Sequence, residues 1–394
     1  MFFAKNQAGE LIDLTRIKRD EVKQLKKMNW FCCDCQEPVI LKAGRIKQMH
    51  FAHGKDSECQ SFSEGETREH LAGKTLLYQN CCHHQIPVEL EAYLPELKQR
   101  PDVLVEQKLA LEFQCSPLNF ERLKERTDNY QKHGYEVLWI LGQELFSFGK
   151  KGPLSKGQQQ FIQFSNCLGY YSFGLRVETS ELVLSYGMCL NEGRLTSSLR
   201  VFSLENQSLF EVFTAIKLIR HSRVVPRSLY EVTKAQRLMW QRSLYNRRVP
   251  EMLLQEYFYC QHENLLQLPL YYHCLSLSDL FLGEAELILR WELVQQIKQE
   301  KSMSREELQR YVSEKQVPEE LSDIQTLFPI KKVISYRLRL YVQRLIEFDF
   351  VQVKAQYYYW NDKRCDSDTW LEHELRKITE EIQIPYRIKL FRLQ

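Results

Sequence analysis

Two carboxylates and an amide pose the chemical question. In "RPDVLVEQKLALEFQCS", residues 100–116, Asp102 begins one short apolar run, Glu112 lies near the end of the next, and Gln114 follows two places on. Strand side chains alternate with period two, so Glu112 and Gln114 share a face while Phe113 points away, into a core. If the two runs pair as a hairpin around Glu106, Gln107 and Lys108, Asp102 comes near Glu112. Two carboxylates at one sheet end repel and raise a pKa unless a cation lies between them. Mg²⁺ is typically held by one or two carboxylates plus phosphate oxygens, where it polarises the phosphate and activates water for in-line attack. The plain alternative is a pair of strand-end surface charges. Upstream, Glu66, His70 and Lys74 recur at four-residue spacing on one helix face, with Glu69 beside His70. A solvated polar face is the simpler account of these residues; a metal or water-positioning shell is the functional one.

A second set of residues suits a softer metal. "CCDCQEPVILKAGRIKQMHFAHGKDSEC" carries Cys32 and Cys35 in a C-x-x-C knuckle, then His50, His53 and Cys59. Zinc takes four nitrogen or sulfur ligands in a tetrahedron, and knuckles on short loops supply them. Cys32, Cys35, His53 and Cys59 are the preferred set, with His50 the substitute for His53. Four protein ligands close the site, so it reads as structural. A metal also explains how about 60 residues with few large apolar groups hold a shape. The alternative is a loop of unligated cysteines.

The third is a basic strip. Lys217, Arg220, Arg223, Arg227, Lys234, Arg237, Arg242, Arg247 and Arg248 follow one another with Glu231 the one acid among them, and Tyr230, Trp240 and Tyr245 are interleaved. Phosphates attract such a strip without sequence preference, and aromatic rings stack on unpaired bases. Basic helix faces paired with acids elsewhere, with Trp240 in the core, explain the pattern equally well.

These residues need elements to hold them. "SEGETREHLAGKTLLYQN" reads as a helix with Ser63 and Glu66 as a capping box. "VELEAYL", "DVLVE" and "LALEFQC" read as strands, Pro117 as the first turn of a helix ending at Gly134, and "YEVLWIL" as a buried strand. The order is αβββαβ, an α/β class with a mixed sheet and a helix on each face. The Gly-, Lys- and Gln-rich stretch 146–160 marks a linker or long loop, 151–200 a mixed β-containing segment, and 205–345 is mostly helical. Residues 304–361 run helix, helix, hairpin, beginning with Ser304 and Glu307 as a capping box, the order of a winged helix-turn-helix module. Cys260, His262, His273 and Cys274 are spaced poorly for a knuckle and are assigned to packing.

Bulk properties narrow the function classes. The chain has 394 residues, 44% hydrophobic and 27% charged, which fits a globular protein of two or three domains and excludes disorder. Net charge is +3, so any nucleic-acid footprint must be local. Its 12 cysteines, with no basic-then-apolar leader, point to a cytoplasmic chain without a disulfide framework. No apolar run approaches the roughly 18 residues of a membrane span.

Taken in order, "CxxC", "HFAH", "SEGETREHLAGK", "ELEAYLPELKQRPDVLV" and "LALEFQCSPL" resemble the CoiA family of bacterial competence proteins, closely over residues 1–145. The resemblance implies a zinc-binding β-rich region (1–62), a nuclease-like domain of the PD-(D/E)XK superfamily (63–150) and a mostly helical region (151–394). It implies a role in natural transformation, in which incoming single-stranded DNA recombines with the chromosome, alongside other competence proteins and RecA-type strand exchange. It makes Asp102 and Glu112 ligands of Mg²⁺ or Mn²⁺, with Glu69 or Glu66 assisting and His70 beside them. The superfamily places lysine where this chain has Gln114, which hydrogen-bonds water but carries no charge. The first expectation is a metal-dependent DNA nuclease. The second is a DNA-binding recombination mediator that keeps the fold without cleaving. A transcription regulator built on 304–361 is third and leaves residues 98–114 unexplained.

Overall fold

The computed structural model describes residues 1–361 except 15–16, 19–20, 34, 45–48, 55–66, 147–153, 192–193, 220–228 and 276–278. At the N-terminus β1 (Phe3–Lys5) and β2 (Leu11–Asp13) form a hairpin with Gly9 at φ +84° before its second strand. After a short α1 (Val22–Leu25) come β3 (Trp30–Phe31), β4 (Pro38–Lys42) and β5 (His50–His53). The antiparallel sheet runs β2-β1-β3-β4-β5. Alternation in β4 buries Val39 and Leu41 and exposes Ile40, and Trp30 lies 5.4 Å from Phe51 across the same core.

The helix α2 spans Arg68–His83. The capping box expected at Ser63 and Glu66 lies outside the described residues, and Thr67 is the N-cap of the described helix. The Thr67 hydroxyl accepts the His70 N–H at 3.1 Å, satisfying an orphan donor of the first turn. Strands β6 (Val88–Leu90), β7 (Val103–Val105) and β8 (Leu109–Gln114) follow as an antiparallel meander. The β7–β8 turn carries Glu106 and Gln107 at φ +50° and +53°. Its twist suits a hairpin, at about 1–2 kcal/mol per non-glycine residue. α3 (Phe120–Lys132) begins three residues later than expected from Pro117. The Asn119 side chain accepts the Glu121 N–H at 2.8 Å and sets the start. Gly134 at φ +83° turns the chain into β9 (Glu136–Leu141), parallel to β8.

Each face of this sheet carries a helix. On one face Leu71 and Leu77 of α2 share a core with Leu111, Phe113 and Ile140. On the other, Leu123 of α3 packs with Trp139 and Leu141. The α2 contact is close: a Cβ on Gly73 would stand 2.1 Å from the Phe113 ring. Glycine here is a packing requirement, not a conformational one.

The sheet does not end at residue 150, where the sequence reading closes the nuclease-like unit. α4 (Lys156–Gln159) and β10 (Gln163–Ser165) lead into β11 (Gly169–Arg176), β12 (Glu181–Asn191) and β13 (Arg194–Ser203), and α5 (Leu209–Lys217) follows. β11 lies parallel to β9, with Phe173 beside Ile140, giving the order β13-β12-β11-β9-β8-β7-β6, with β10 paired to β11. The chain between β9 and β11 thus connects parallel neighbours of one sheet, and residues 147–153 of the expected linker lie outside the described residues. Asn80 of α2 locks this extension down, donating to the Leu204 and Gln207 carbonyls at 2.8 Å and accepting the Leu209 N–H at 3.0 Å.

The C-terminal half is mostly helical: α6 (Leu229–Tyr245), α7 (Val249–Cys260), α8 (Ala285–Gln299), β14 (Ser302–Ser304), α9 (Arg305–Glu314), α10 (Ile330–Glu347), then β15 (Val351–Lys354) and β16 (Tyr357–Trp360). The last three strands form a sheet in the order β14-β16-β15, and Ser304 with Glu307 makes the capping box read from sequence. A buried polar network joins this half to the large sheet. The Tyr170 hydroxyl of β11 donates to Asp279 at 2.6 Å, and Arg337 lies 2.5 Å from Glu286 and 3.7 Å from Asp279. Among the described residues no helix is long and apolar enough to cross a membrane.

Two stability outcomes follow. Gly73→Ala should cost about 1–3 kcal/mol in urea denaturation despite alanine's better helix propensity, because Phe113 must move. His273 is buried against Trp240, and burial aided by Arg237 and Arg290 lowers its imidazole to about 3. The unfolded chain takes up this proton below about 6.5 while the native chain does not. Stability should therefore fall as pH drops from about 6.5 toward 3, and His273→Leu should remove that component. Equal acid sensitivity of the two proteins would contradict it.

Candidate functional site

The β7–β8 register pairs Val103 with Leu111, so one step further Asp102 lies opposite Glu112. Asp102 Oδ2 accepts the Phe113 N–H at 2.9 Å and lies 3.1 Å from His70 Nε2. The His70 ring stacks on Phe113, centroids 6.0 Å apart and planes 5° from parallel, which holds the imidazole over the sheet end. Burial alone would push the Asp102 carboxyl up. The His70 imidazole, the Lys74 ammonium and the Phe113 N–H outweigh it and hold the group well below the usual carboxylate range. Asp102 is therefore an anion at neutral pH.

Lys74 and His70 do not form a solvated face, which corrects the simpler reading of that pattern. Lys74 is 1% exposed, and its ammonium pairs with Glu91 at the end of β6. Glu91 also accepts the Phe2 N–H at 2.8 Å, so the N-terminal sheet is tied directly to the wall of the site. Glu69 is held by a different element. Its Oε1 accepts the Gln143 N–H at 2.8 Å and secures the loop after β9. Glu66 lies outside the described residues.

Glu112 projects toward α3 and is 3% exposed. Its Oε1 accepts both the Arg126 Nη2 at 2.6 Å and the Tyr130 hydroxyl at 2.7 Å. Burial pushes its carboxyl up, Arg126 opposes, the Asp102 charge adds to the rise, Tyr130 opposes, and the balance is about 7. Gln114, on the same face, is buried and donates its amide to the Ser116 carbonyl at 3.0 Å. Each carboxylate thus spends one oxygen on protein donors: Oδ2 of Asp102 and Oε1 of Glu112. Those donors leave Oδ1 and Oε2 aside. Two neighbouring carboxylates, each with one oxygen so placed, suit monodentate binding of a hard divalent ion.

Arg126 and Tyr130 escaped the sequence reading. The signal was there: Leu123, Arg126, Thr127 and Tyr130 follow i, i+3, i+4, i+7, the buried stripe of α3. A cation on a buried stripe needs an anion, and Glu112 is the one it meets.

The second site lies in the N-terminal sheet. Cys32, Cys35 and His53 bring three ligand atoms within 4.8 Å of one another, among the described residues the one such cluster of three or more. The knuckle turns tightly, with Gln36 donating to the Cys32 carbonyl at 3.1 Å and standing at φ +62°. Pairing of Val39 with His53 then carries the imidazole to the knuckle. Glu37 lies 3.6 Å from His53 Nδ1, a carboxylate placed to orient the ring. His50 is buried on β5 outside this cluster, and Cys59 lies outside the described residues. The sulfur and nitrogen donors fit a structural transition metal.

The basic strip divides. Trp240 is wholly buried, so it cannot stack on bases, and Arg237 donates to the Leu268 carbonyl at 2.6 Å. Arg242, Arg247, Arg248 and Tyr245 are exposed around the α6–α7 turn. Arg220, Arg223 and Arg227 lie outside the described residues, as does the Lys234 side chain.

Two family models match the chain. "Competence protein CoiA, N-terminal domain" covers residues 14–62, and "Competence protein CoiA, nuclease-like domain" covers residues 66–217, a stretch that takes in the strands beyond 150. Competence protein CoiA of Bacillus subtilis (strain 168) is similar, 33% identical over 123 residues. That alignment covers 30% of this chain and 33% of the relative. No solved structure matches. For the N-terminal cluster, Cys35→Ser should abolish stoichiometric metal in purified protein and lower the melting temperature. Unchanged metal content would contradict it.

Proposed function

Since the chain belongs to the CoiA family of competence proteins, we propose that it promotes recombination of incoming single-stranded DNA during natural transformation, as a Mg²⁺- or Mn²⁺-dependent nuclease acting on a DNA intermediate. The supporting observation is the Asp102–Glu112 pair, buried at one sheet end with one oxygen of each set aside from protein hydrogen bonds. The element order α2, β6, β7, β8, α3, β9 supports reading this part as a PD-(D/E)XK core. A divalent ion there supplies a Lewis acid for the phosphate and lowers the pKa of its water. Asp102, kept anionic by His70 and Lys74, is ready for that ion without losing a proton. Glu112 is oriented by Arg126 and Tyr130, and Gln114 positions water on the same face. The water oxygen bonds to phosphorus, the phosphorus–oxygen bond to the leaving sugar breaks, and that sugar oxygen takes up a proton.

The Cys32, Cys35 and His53 cluster holds zinc, with Cys59 as fourth ligand, and keeps the N-terminal sheet folded. Exposed Arg242, Arg247 and Arg248 meet DNA phosphates, with Arg220, Arg223, Arg227 and Lys234 extending the strip. RecA-type recombinase and other competence proteins are the expected cytoplasmic partners. One observation favours a non-cleaving DNA-binding mediator: the uncharged Gln114 is turned toward Ser116.

The two readings separate in one assay. Purified protein is incubated with single-stranded, duplex and branched DNA in Mg²⁺ or Mn²⁺, beside Asp102→Ala and Glu112→Ala. Metal-dependent cleavage lost in both variants is expected. Cleavage that survives both would overturn the site, and binding without cleavage on every substrate would leave the mediator.

A further inference from the structure

Resting on that reading, we propose that Arg126 supplies the positive charge that the superfamily's lysine would carry at Gln114, delivered from α3 instead of β8. Charge balance poses the need. A divalent ion offsets the two carboxylates, while an incoming phosphodiester brings one negative charge and its pentacoordinate transition state a second. Such charge must meet a placed donor in a site screened from water.

The nearby cations narrow the choice. Gln114 is neutral and donates to the Ser116 carbonyl. Lys74 is buried and bound to Glu91. Arg100 donates to the Glu91 carbonyl at 2.8 Å and lies over the Tyr93 ring. His70 meets Asp102 and not Glu112. Arg126 contacts Glu112 directly, and its half-buried side chain keeps 21% of its surface exposed. Its plane is fixed from two sides, by Glu112 Oε1 and by the Trp139 ring 5.4 Å away. A guanidinium has five N–H donors; Glu112 engages one terminal nitrogen and the Tyr130 hydroxyl also meets the group, so more donors are present than these two partners take. Arg126 and Tyr130 both bind Oε1, so Arg126 charges the site without taking Oε2. During hydrolysis Arg126 stays protonated and neither gives nor takes a proton; it opposes the charge that grows on the phosphoryl oxygens.

A merely structural Arg126 would only orient Glu112, and the test separates the two. Arg126→Gln and Arg126→Lys each keep a donor for Glu112 Oε1. Cleavage is measured against Mn²⁺ concentration for wild type, R126Q, R126K and the double variant R126Q/Q114K. Mn²⁺ binding is read independently, without DNA, from the shift in melting temperature. The expected result is a fall of roughly 100-fold in the R126Q rate at saturating Mn²⁺, with Mn²⁺ binding no weaker than wild type. R126K should stay within about tenfold, and Q114K should restore much of the R126Q loss. An R126Q protein that keeps its saturated rate and only needs more Mn²⁺ would make Arg126 a positioning residue and overturn the proposal, as would failure of Q114K to restore activity. Where R126Q does not melt cooperatively, the R126K rate decides: a loss to background overturns the proposal. D102A and E112A distinguish the levels of failure. If they abolish cleavage while R126Q leaves it intact, only the Arg126 role falls; if they leave it intact, or wild type never cleaves, the underlying reading falls with it.

Discussion

Keeping two carboxylates side by side away from water is the constraint that organises this molecule. An isolated buried carboxylate is costly, and a second one beside it more so. Each is therefore met from its own side of the sheet. α2 brings His70 and Lys74 toward Asp102, and α3 brings Arg126 and Tyr130 to Glu112. The two helices can stand close enough because Gly73 lets α2 settle on Phe113, and Phe113 in turn carries the stacked His70. Packing and electrostatics are thus one arrangement: the residue that fills the core also aims the imidazole and gives its N–H to Asp102.

The two carboxylates end in different electrical states although they are neighbours. Asp102 has several favourable partners and stays ionised well into acid, while Glu112 is held near the middle of the physiological range by burial and by Asp102 itself. Environment, not residue type, sets the difference. An arrangement built this way holds one carboxylate ionised and leaves a second whose charge responds to its surroundings.

Much of this was legible from local pattern. Period-two alternation set Phe113 apart from Glu112 and Gln114, the hairpin brought Asp102 opposite Glu112, and Ser304 announced its helix. What stayed hidden depends on distant partners. Lys74 looked like a surface lysine because its anion, Glu91, arrives from a different element. Arg126 looked like one more charge on a charged helix until Glu112 was placed under it. Trp240, set among arginines, leaves stacking platform and core equally open in sequence and is core in space. The joining of β11 to β9 leaves no mark in the intervening polar stretch, because a crossover connection needs only length and solubility.

That junction has a consequence for how the protein can be taken apart. β9 and β11 share a ladder in the interior of an eight-stranded sheet, and the Tyr170–Asp279 bond carries the tie on into the helices. A fragment ending near residue 150 would leave β9 as a raw edge, its backbone groups open and its Ile140 and Leu141 uncovered by β11. Unprotected edges of that kind recruit other strands and aggregate. Proteolysis or gene truncation in the polar stretch would therefore yield sticky remnants instead of a compact smaller domain, and the natural seam for dissection lies after α5, beyond the sheet's own last strand.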